Sequence, residues 1–106
     1  MSFIVSHVPR SLFRYVPDFD FSGLELKAFF DKHSEEYETV AMVEAADLNE
    51  AFERTNTIQS VWWENDKVTK LFDGEGCRST SVGDVVITPD NKVFLVAASG
   101  FIQVRG

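Results

Sequence analysis

The sequence predicts an α+β fold: two helices with a small antiparallel sheet, whose C-terminal meander can curl into an open barrel. Three observations predict it. Two capping-box patterns, Ser22 with Glu25 and Asp47 with Glu50, each open an apolar stripe at helical spacing. Residues 37–45 alternate with the two-residue period of a half-buried strand. From residue 84 onward, short β-branched runs are separated by tight-turn residues, which marks a meander.

Residues 3–8 are apolar and β-branched, and suit a strand that stops before Pro9. Residues 11–20 are aromatic and irregular, broken by Pro17, and read as an extended arm over the core or an extra strand. Helix one is expected over residues 22–34, with Leu26, Phe29 and Phe30 on its buried stripe. In the strand that follows, Tyr37, Thr39, Ala41 and Val43 are expected to face the core, and Glu38, Val40, Met42 and Glu44 the other side. The second helix starts at Asp47, buries Leu48, Ala51, Phe52 and Thr55, and ends near Asn56. Residues 61–64 read as aromatic β structure, so Trp62 and Trp63 would point to opposite faces. Residues 68–72 form a short strand, and two glycines make residues 73–76 a loop. Residues 84–88, 93–98 and 101–104 are the meander strands, joined by the turn at 89–92 and the break at Ser99-Gly100.

At 106 residues the chain is expected to form one domain. Its 44% hydrophobic and 25% charged content is globular rather than disordered, and ten Phe, two Trp and two Tyr supply bulk for a core. One cysteine excludes an internal disulfide framework and a cysteine-rich zinc site. No apolar run reaches the roughly 20 residues that cross a bilayer, and residues 1–10 lack the basic-then-apolar order of a signal peptide. The expectation is a cytoplasmic protein with no membrane partner, metal or cofactor.

The net charge of −7 is unevenly placed. Asp31, Glu35, Glu36, Glu38, Glu44, Asp47, Glu50 and Glu53 stand against Lys32 alone, whereas residues 77–106 carry three bases and two acids. One acidic face follows, with Glu44, Asp47, Glu50 and Glu53 as the expected contact for a basic partner. The same charge disfavours a phosphate backbone.

Arg78-Ser79-Thr80-Ser81-Val82-Gly83-Asp84 is the most distinctive stretch. Its hydroxyls, backbone amides and guanidinium suit a phosphate, a carboxylate or a base edge. The same residues also make an ordinary tight turn in which Arg78 pairs with Asp84 or a nearby Glu. In Trp62-Trp63-Glu64-Asn65, an exposed Trp would anchor a partner or stack on a base. The binding residues expected from these two stretches are Arg78, Ser79, Thr80, Ser81, Asp84, Trp62, Trp63 and Asn65. There is no Walker loop or dinucleotide fingerprint, and His7, His33 and Cys77 lack metal-ligand spacing. Cys77 beside Arg78 is open to a lowered pKa, but reads first as a small buried residue. An enzyme would need a pocket joining Arg78 and Asp84 with His7 or His33.

A family resemblance runs through the second half. It is carried by Asp47-Leu48, Ala51-Phe52, Thr55-Asn56, Trp62-Trp63 with Asn65, Val68, the block of residues 78–85, Val96-Ala97 and Gly100-Phe101. Together these residues resemble small proteins of bacteriophages, plasmids and other mobile elements, the YodL-like family. The resemblance covers residues 47–104, so residues 1–46 are expected to be specific to this protein and 47–106 to bear the motif. It implies a mobile-element accessory protein and no particular reaction. Gly83-Asp84 opening a strand, a hairpin, and Gly100-Phe101 at a last strand are also similar to the small barrels of PUA-like and ASCH-like domains, which bind RNA or modified bases.

The resulting expectation is a non-enzymatic accessory protein that binds and modulates a host protein in the bacterial cytoplasm. It would act as a monomer or as a homodimer through a free sheet edge. The alternative is a nucleic-acid or nucleotide-binding module using the loop of residues 78–84.

Overall fold

The computed structural model describes residues 1–17, 23–57, 61–98 and 100–106. The fold is α+β. Six strands form one sheet: β1 (Ser2–His7), β2 (Glu38–Glu44), β3 (Val68–Lys70), β4 (Val85–Ile87), β5 (Val93–Ala97) and β6 (Gly100–Arg105). Their order is β3-β2-β1-β4-β5-β6, and every pairing is antiparallel. The meander β4-β5-β6 forms as expected, but the sheet stays open, with β3 and β6 at its edges, and does not close into a barrel. β1 lies between β2 and β4, so the start of the chain occupies the middle of the sheet.

Two helices cover opposite faces. On one face α2 (Leu48–Arg54) brings Ala51, with Leu48 and Phe52, onto Phe3, Val5, Ala41, Val43 and Val86. On the other, α1 (Leu24–His33) brings Leu26 and Phe30 onto Val85 and Leu95. Neighbouring Val85 and Val86 serve different cores because successive strand residues point to opposite faces. The capping box expected for α2 is present: Asp47 Oδ1 accepts from Glu50 N–H at 2.9 Å, and Glu50 Oε1 accepts from Ala46 N–H at 3.2 Å. Ser22, the expected cap of α1, lies outside the described residues. The helix opens at Leu24, with Gly23 in the cap position. No helix among the described residues is long and apolar enough to cross a membrane.

Three local expectations change. First, Thr39 is exposed and Val40 is buried, the reverse of simple alternation. Val5 pairs with Ala41 and Ser6 with Thr39, so Val40 is an extra, bulged residue that resets the facing of β2. Second, Trp62–Glu64 is a 3-10 helix rather than a strand. Trp62 is buried and Trp63 half-buried, and both rings pack on Phe72. Aromatic residues favour strands only where a neighbouring surface receives them, and here the receiving surface is the side of the sheet. Third, β3 ends at Lys70. Leu71 N–H still reaches Val40 C=O at 2.9 Å, and Phe72 then turns onto the core. The expected arm contains a single 3-10 turn, Phe13–Tyr15, and its residues 18–20 lie outside the described ones.

Gly83 joins these layers. Its φ is +97°, and a Cβ there would stand 2.5 Å from Val16 Cγ1 of the arm. Its carbonyl accepts from the Tyr37 hydroxyl at 2.7 Å. Substitution Gly83→Ala therefore forces both an unfavourable backbone and a clash, and is expected to cost about 2 kcal/mol in urea unfolding. An unchanged unfolding midpoint would contradict this account of the turn.

Candidate functional site

The distinctive segment folds around one carboxylate. Asp84 is fully buried, immediately before β4. Its Oδ2 accepts from Arg78 Nη1 at 2.6 Å and Ser81 N–H at 2.8 Å. Its Oδ1 accepts from Arg78 Nη2 at 2.7 Å and Val8 N–H at 2.9 Å. The guanidinium also donates to the carbonyls of Val8 and Ser79, both at 3.1 Å. The Phe13 ring covers its face at 4.1 Å. A bidentate charged pair of this kind is strong and directional. It ties the end of β1, the loop of residues 78–84 and the start of β4 into one clasp.

The expected binding residues fall mostly within this clasp or its supports. Thr80 is buried, with its N–H on Thr55 C=O at 2.9 Å and its carbonyl held by Asn56 Nδ2 at 2.6 Å. Ser79 Oγ donates to Thr57 C=O at 3.4 Å. Trp62 donates its indole N–H to Arg78 C=O at 3.2 Å. Asn65 caps the turn into β3 by accepting from Lys67 N–H at 2.8 Å. Ser81 lines a separate hollow of about 380 Å³ between α2 and the end of β5. Thus Arg78 and Asp84 face each other, while Ser79 and Thr80 are spent on the chain after α2 and on His7.

The expected acidic face is largely neutralised locally. Glu44 takes the N-terminal ammonium at 2.5 Å and Ser2 Oγ at 3.0 Å, and the first of these holds its carboxyl below the usual range. Glu50 pairs with Arg54 at 3.0 Å, which lowers its carboxyl likewise. Asp47 caps α2. Of the four, only Glu44 and Glu50 are ion-paired among the described residues; the Asp47 carboxylate is taken up by the cap, and Glu53 is exposed.

Beside the clasp opens a cleft of about 820 Å³. Arg10, Phe13 and Arg14 of the arm form one wall, and Phe72, Cys77 and Arg78 another. His7 of β1, Val8 just after it and Glu38 and Val40 of β2 also line it, as does Asp73, so two carboxylates share the cavity with the arginines. Three of the chain's five arginines therefore face one cavity in a protein of net charge −7. Arg14 reaches the Tyr15 hydroxyl at 2.9 Å, and Arg10 is exposed with no ion-pair partner among the described residues. Arg10, Phe13 and Arg14 were not among the residues expected from sequence. Their signal was present as Arg10-x-x-Phe13-Arg14-Tyr15, basic and aromatic residues interleaved on an irregular segment.

His7 is buried between clasp and cleft. Its Nε2 lies 2.8 Å from Thr80 Oγ1 and 3.8 Å from Asp84 Oδ2, and its Nδ1 lies 3.6 Å from Cys77 Sγ. Burial pushes its pKa down to about 4, against the pull of the Asp84 carboxylate and with the push of Arg78. Burial also raises the Cys77 thiol, outweighing the Arg78 charge that the sequence suggested would lower it. The cleft joins Arg78 with His7, but Asp84 is fully buried and outside its lining, so the pocket an enzyme would need is only partly assembled. His33 instead bonds Glu36 at 2.5 Å and is not part of the cleft lining. No family model, curated protein or solved structure matches this chain.

Two outcomes follow from the clasp. Asp84→Asn leaves the half-buried Arg78 guanidinium without its counter-charge and sets a neutral amide where the Val8 and Ser81 N–H groups point, and is expected to cost about 3 kcal/mol in urea unfolding; a loss below about 1 kcal/mol, the level of an exposed pair, would refute the clasp. His7 has a folded pKa below its ordinary 6.5, so the unfolded chain takes up the proton first as pH falls. Stability should decline from about pH 6.5 to about pH 4, by on the order of 3 kcal/mol from this group. Urea titrations of wild type and His7→Gln across that window check it. An equally steep decline in the variant would remove His7 as its source.

Proposed function

We propose that the protein binds a small anionic ligand bearing a planar ring, of the mononucleotide class, in the cleft beside the clasp. The observation that carries the reading is the convergence of Arg10 and Arg14, neither of them ion-paired among the described residues, with the Phe13 and Phe72 rings on one cavity. Its volume of about 820 Å³ lies within the range of small-molecule sites. The arginines supply bidentate donors for a phosphate, and the rings supply a stacking surface. A net charge of −7 repels a long polyanion but costs a single nucleotide little, which favours a nucleotide over a nucleic-acid strand. The resemblance to mobile-element proteins adds a setting, an accessory protein that senses or sequesters a nucleotide of its host.

A second reading keeps the expected contact with a basic host protein. Glu53, exposed on α2 with no ion-pair partner among the described residues, supports it; exposed Asp31 and Glu35 belong to the α1 side of the sheet.

Phe72 touches both the cleft and the Trp62–Trp63 pair, so tryptophan emission reports on the site. Titration with adenosine monophosphate is expected to change that emission, with adenosine and inorganic phosphate each binding more weakly. The exposed double variant Arg10→Ala/Arg14→Ala should weaken the nucleotide by roughly tenfold or more. Flat emission and flat calorimetry with adenosine and guanosine monophosphates would overturn the nucleotide reading.

A further inference from the structure

The two edges of the sheet are built differently. β3 is three residues long and is flanked by exposed Lys67 and Lys70, charges of the kind that keep a foreign strand away. β6 spans six residues, Gly100-Phe101-Ile102-Gln103-Val104-Arg105, with no lysine or proline. No strand among the described residues pairs with its outer side. Its one charge, Arg105, is turned onto the α1 side, where the guanidinium lies 5.1 Å from the Phe30 ring and donates to Ser34 Oγ at 3.2 Å. Val96 donates its N–H to Asp84 C=O at 2.8 Å and accepts from Gly83 N–H at 2.9 Å, so it bonds toward the β4 side. Alternation along an antiparallel ladder then turns Leu95 and Ala97 toward β6, against Ile102 and Gly100. Phe101 and Gln103 are left with their N–H and C=O groups aimed at the free edge. The register shift in this pair falls beyond Gln103, so residues 100–103 form a regular ladder.

We propose that β6 pairs antiparallel with β6 of a second copy of this chain, about a two-fold axis through Ile102, joining the two sheets into one. In that register Phe101 of each copy stands opposite the partner's Gln103, each pair exchanging both of its bonds. Three features fit a second copy to this edge. The pairing is isologous, and Ile102 meets the partner's Ile102 as a close pair without ladder bonds between them, apolar on apolar. The partner's Gln103 comes beside Phe101, whose ring walls the hollow of about 380 Å³ against α2. That hollow has Phe52 and Val96 on its apolar side and the amides of Asn49 and Asn56 in its lining, a setting that suits the stem and amide of a glutamine. Charge is complementary as well. α1 runs beside β6 from Gly23, where a Cβ would meet Ile102, to Ser34, which holds Arg105. Its first turn carries Glu25 and its last turn Lys32. The two-fold axis sets the two α1 helices antiparallel, with the acidic first turn of each toward the partner's Lys32 and Arg105.

The proposal makes no use of the cleft, so its failure leaves the nucleotide reading standing, and the reverse holds. Sedimentation equilibrium is expected to show the 12.0 kDa chain passing to a dimer as concentration rises. Gln103→Pro removes an outward N–H that β5 does not use, a change an edge strand tolerates. It should raise the dimer dissociation constant by about a hundredfold, with its urea midpoint reporting that the chain still folds. In a Cys77→Ser background, Ile102→Cys should form an intermolecular disulfide under mild oxidation, because each copy meets the same residue across the axis, and Gln103→Cys should not. A single 12.0 kDa species at every concentration overturns the proposal and leaves this edge to a strand from another protein. A dimer that a folded Gln103→Pro does not weaken overturns it too. If Gln103→Pro fails to fold, the cysteine variants decide: crosslinking no faster at Ile102→Cys than at Gln103→Cys overturns the register and the proposal with it.

Discussion

The buried carboxylate of Asp84 is the constraint around which the rest of the structure is arranged. An ion removed from water costs several kcal/mol, and the protein must return that in hydrogen bonds or ion pairing. Here four donors do so: two from Arg78 and one each from the backbones of Val8 and Ser81. Those donors come from the end of β1 and from the loop before β4, so satisfying one charge fixes where two central strands meet. The hydroxyls of the segment serve the same end. Ser79 Oγ donates to the chain after α2 and Thr80 Oγ1 stands against His7 Nε2, so neither faces a ligand. A loop whose polar groups are consumed internally is a poor cradle for a phosphate, which moves the functional question to the space beside it.

That space owes its character to the clasp. Arg78 shows its guanidinium face to Phe13, which anchors the arm carrying Arg10 and Arg14 across the end of the sheet. Gly83 receives Val16 of the same arm. The arm is thereby held as one wall of a cavity, and its two arginines stand opposite the ring of Phe72. Acidic residues dominate elsewhere, but Glu44 and Glu50 have found local cations, so the surface field is milder than the count of carboxylates implies. The contrast between an acidic protein and the two free arginines of this cavity, Arg10 and Arg14, underlies the ligand class, although Glu38 and Asp73 share the lining.

Much of the fold was legible in the sequence because it depends on local signals. The capping box at Asp47 and Glu50 appears as written, since it needs only residues three apart. The meander follows from turn residues set between β-branched runs. The pairing of Arg78 with Asp84, six residues apart, was visible as the turn reading of that segment. Val40 was misplaced because a bulge is set by the partner strand, here the offset between Val5 and Ser6, and leaves no mark in the alternation itself. The Trp pair was misplaced because whether aromatic residues extend or coil depends on the surface they meet.

The sequence by itself determined the class of the fold, the second helix with its cap, the meander, and a segment of residues 78–84 too polar and too glycine-dependent to be ordinary core. Only the tertiary structure decided that β1 runs between β2 and β4, and hence that His7, Thr80 and Asp84 share one buried site. It alone brought Arg10 and Arg14 to the same cavity as Phe72, across more than fifty positions of chain. The physical reason is that caps and turns are closed by neighbours in sequence, whereas a buried charge must be satisfied by whichever donors the packed sheet delivers to it.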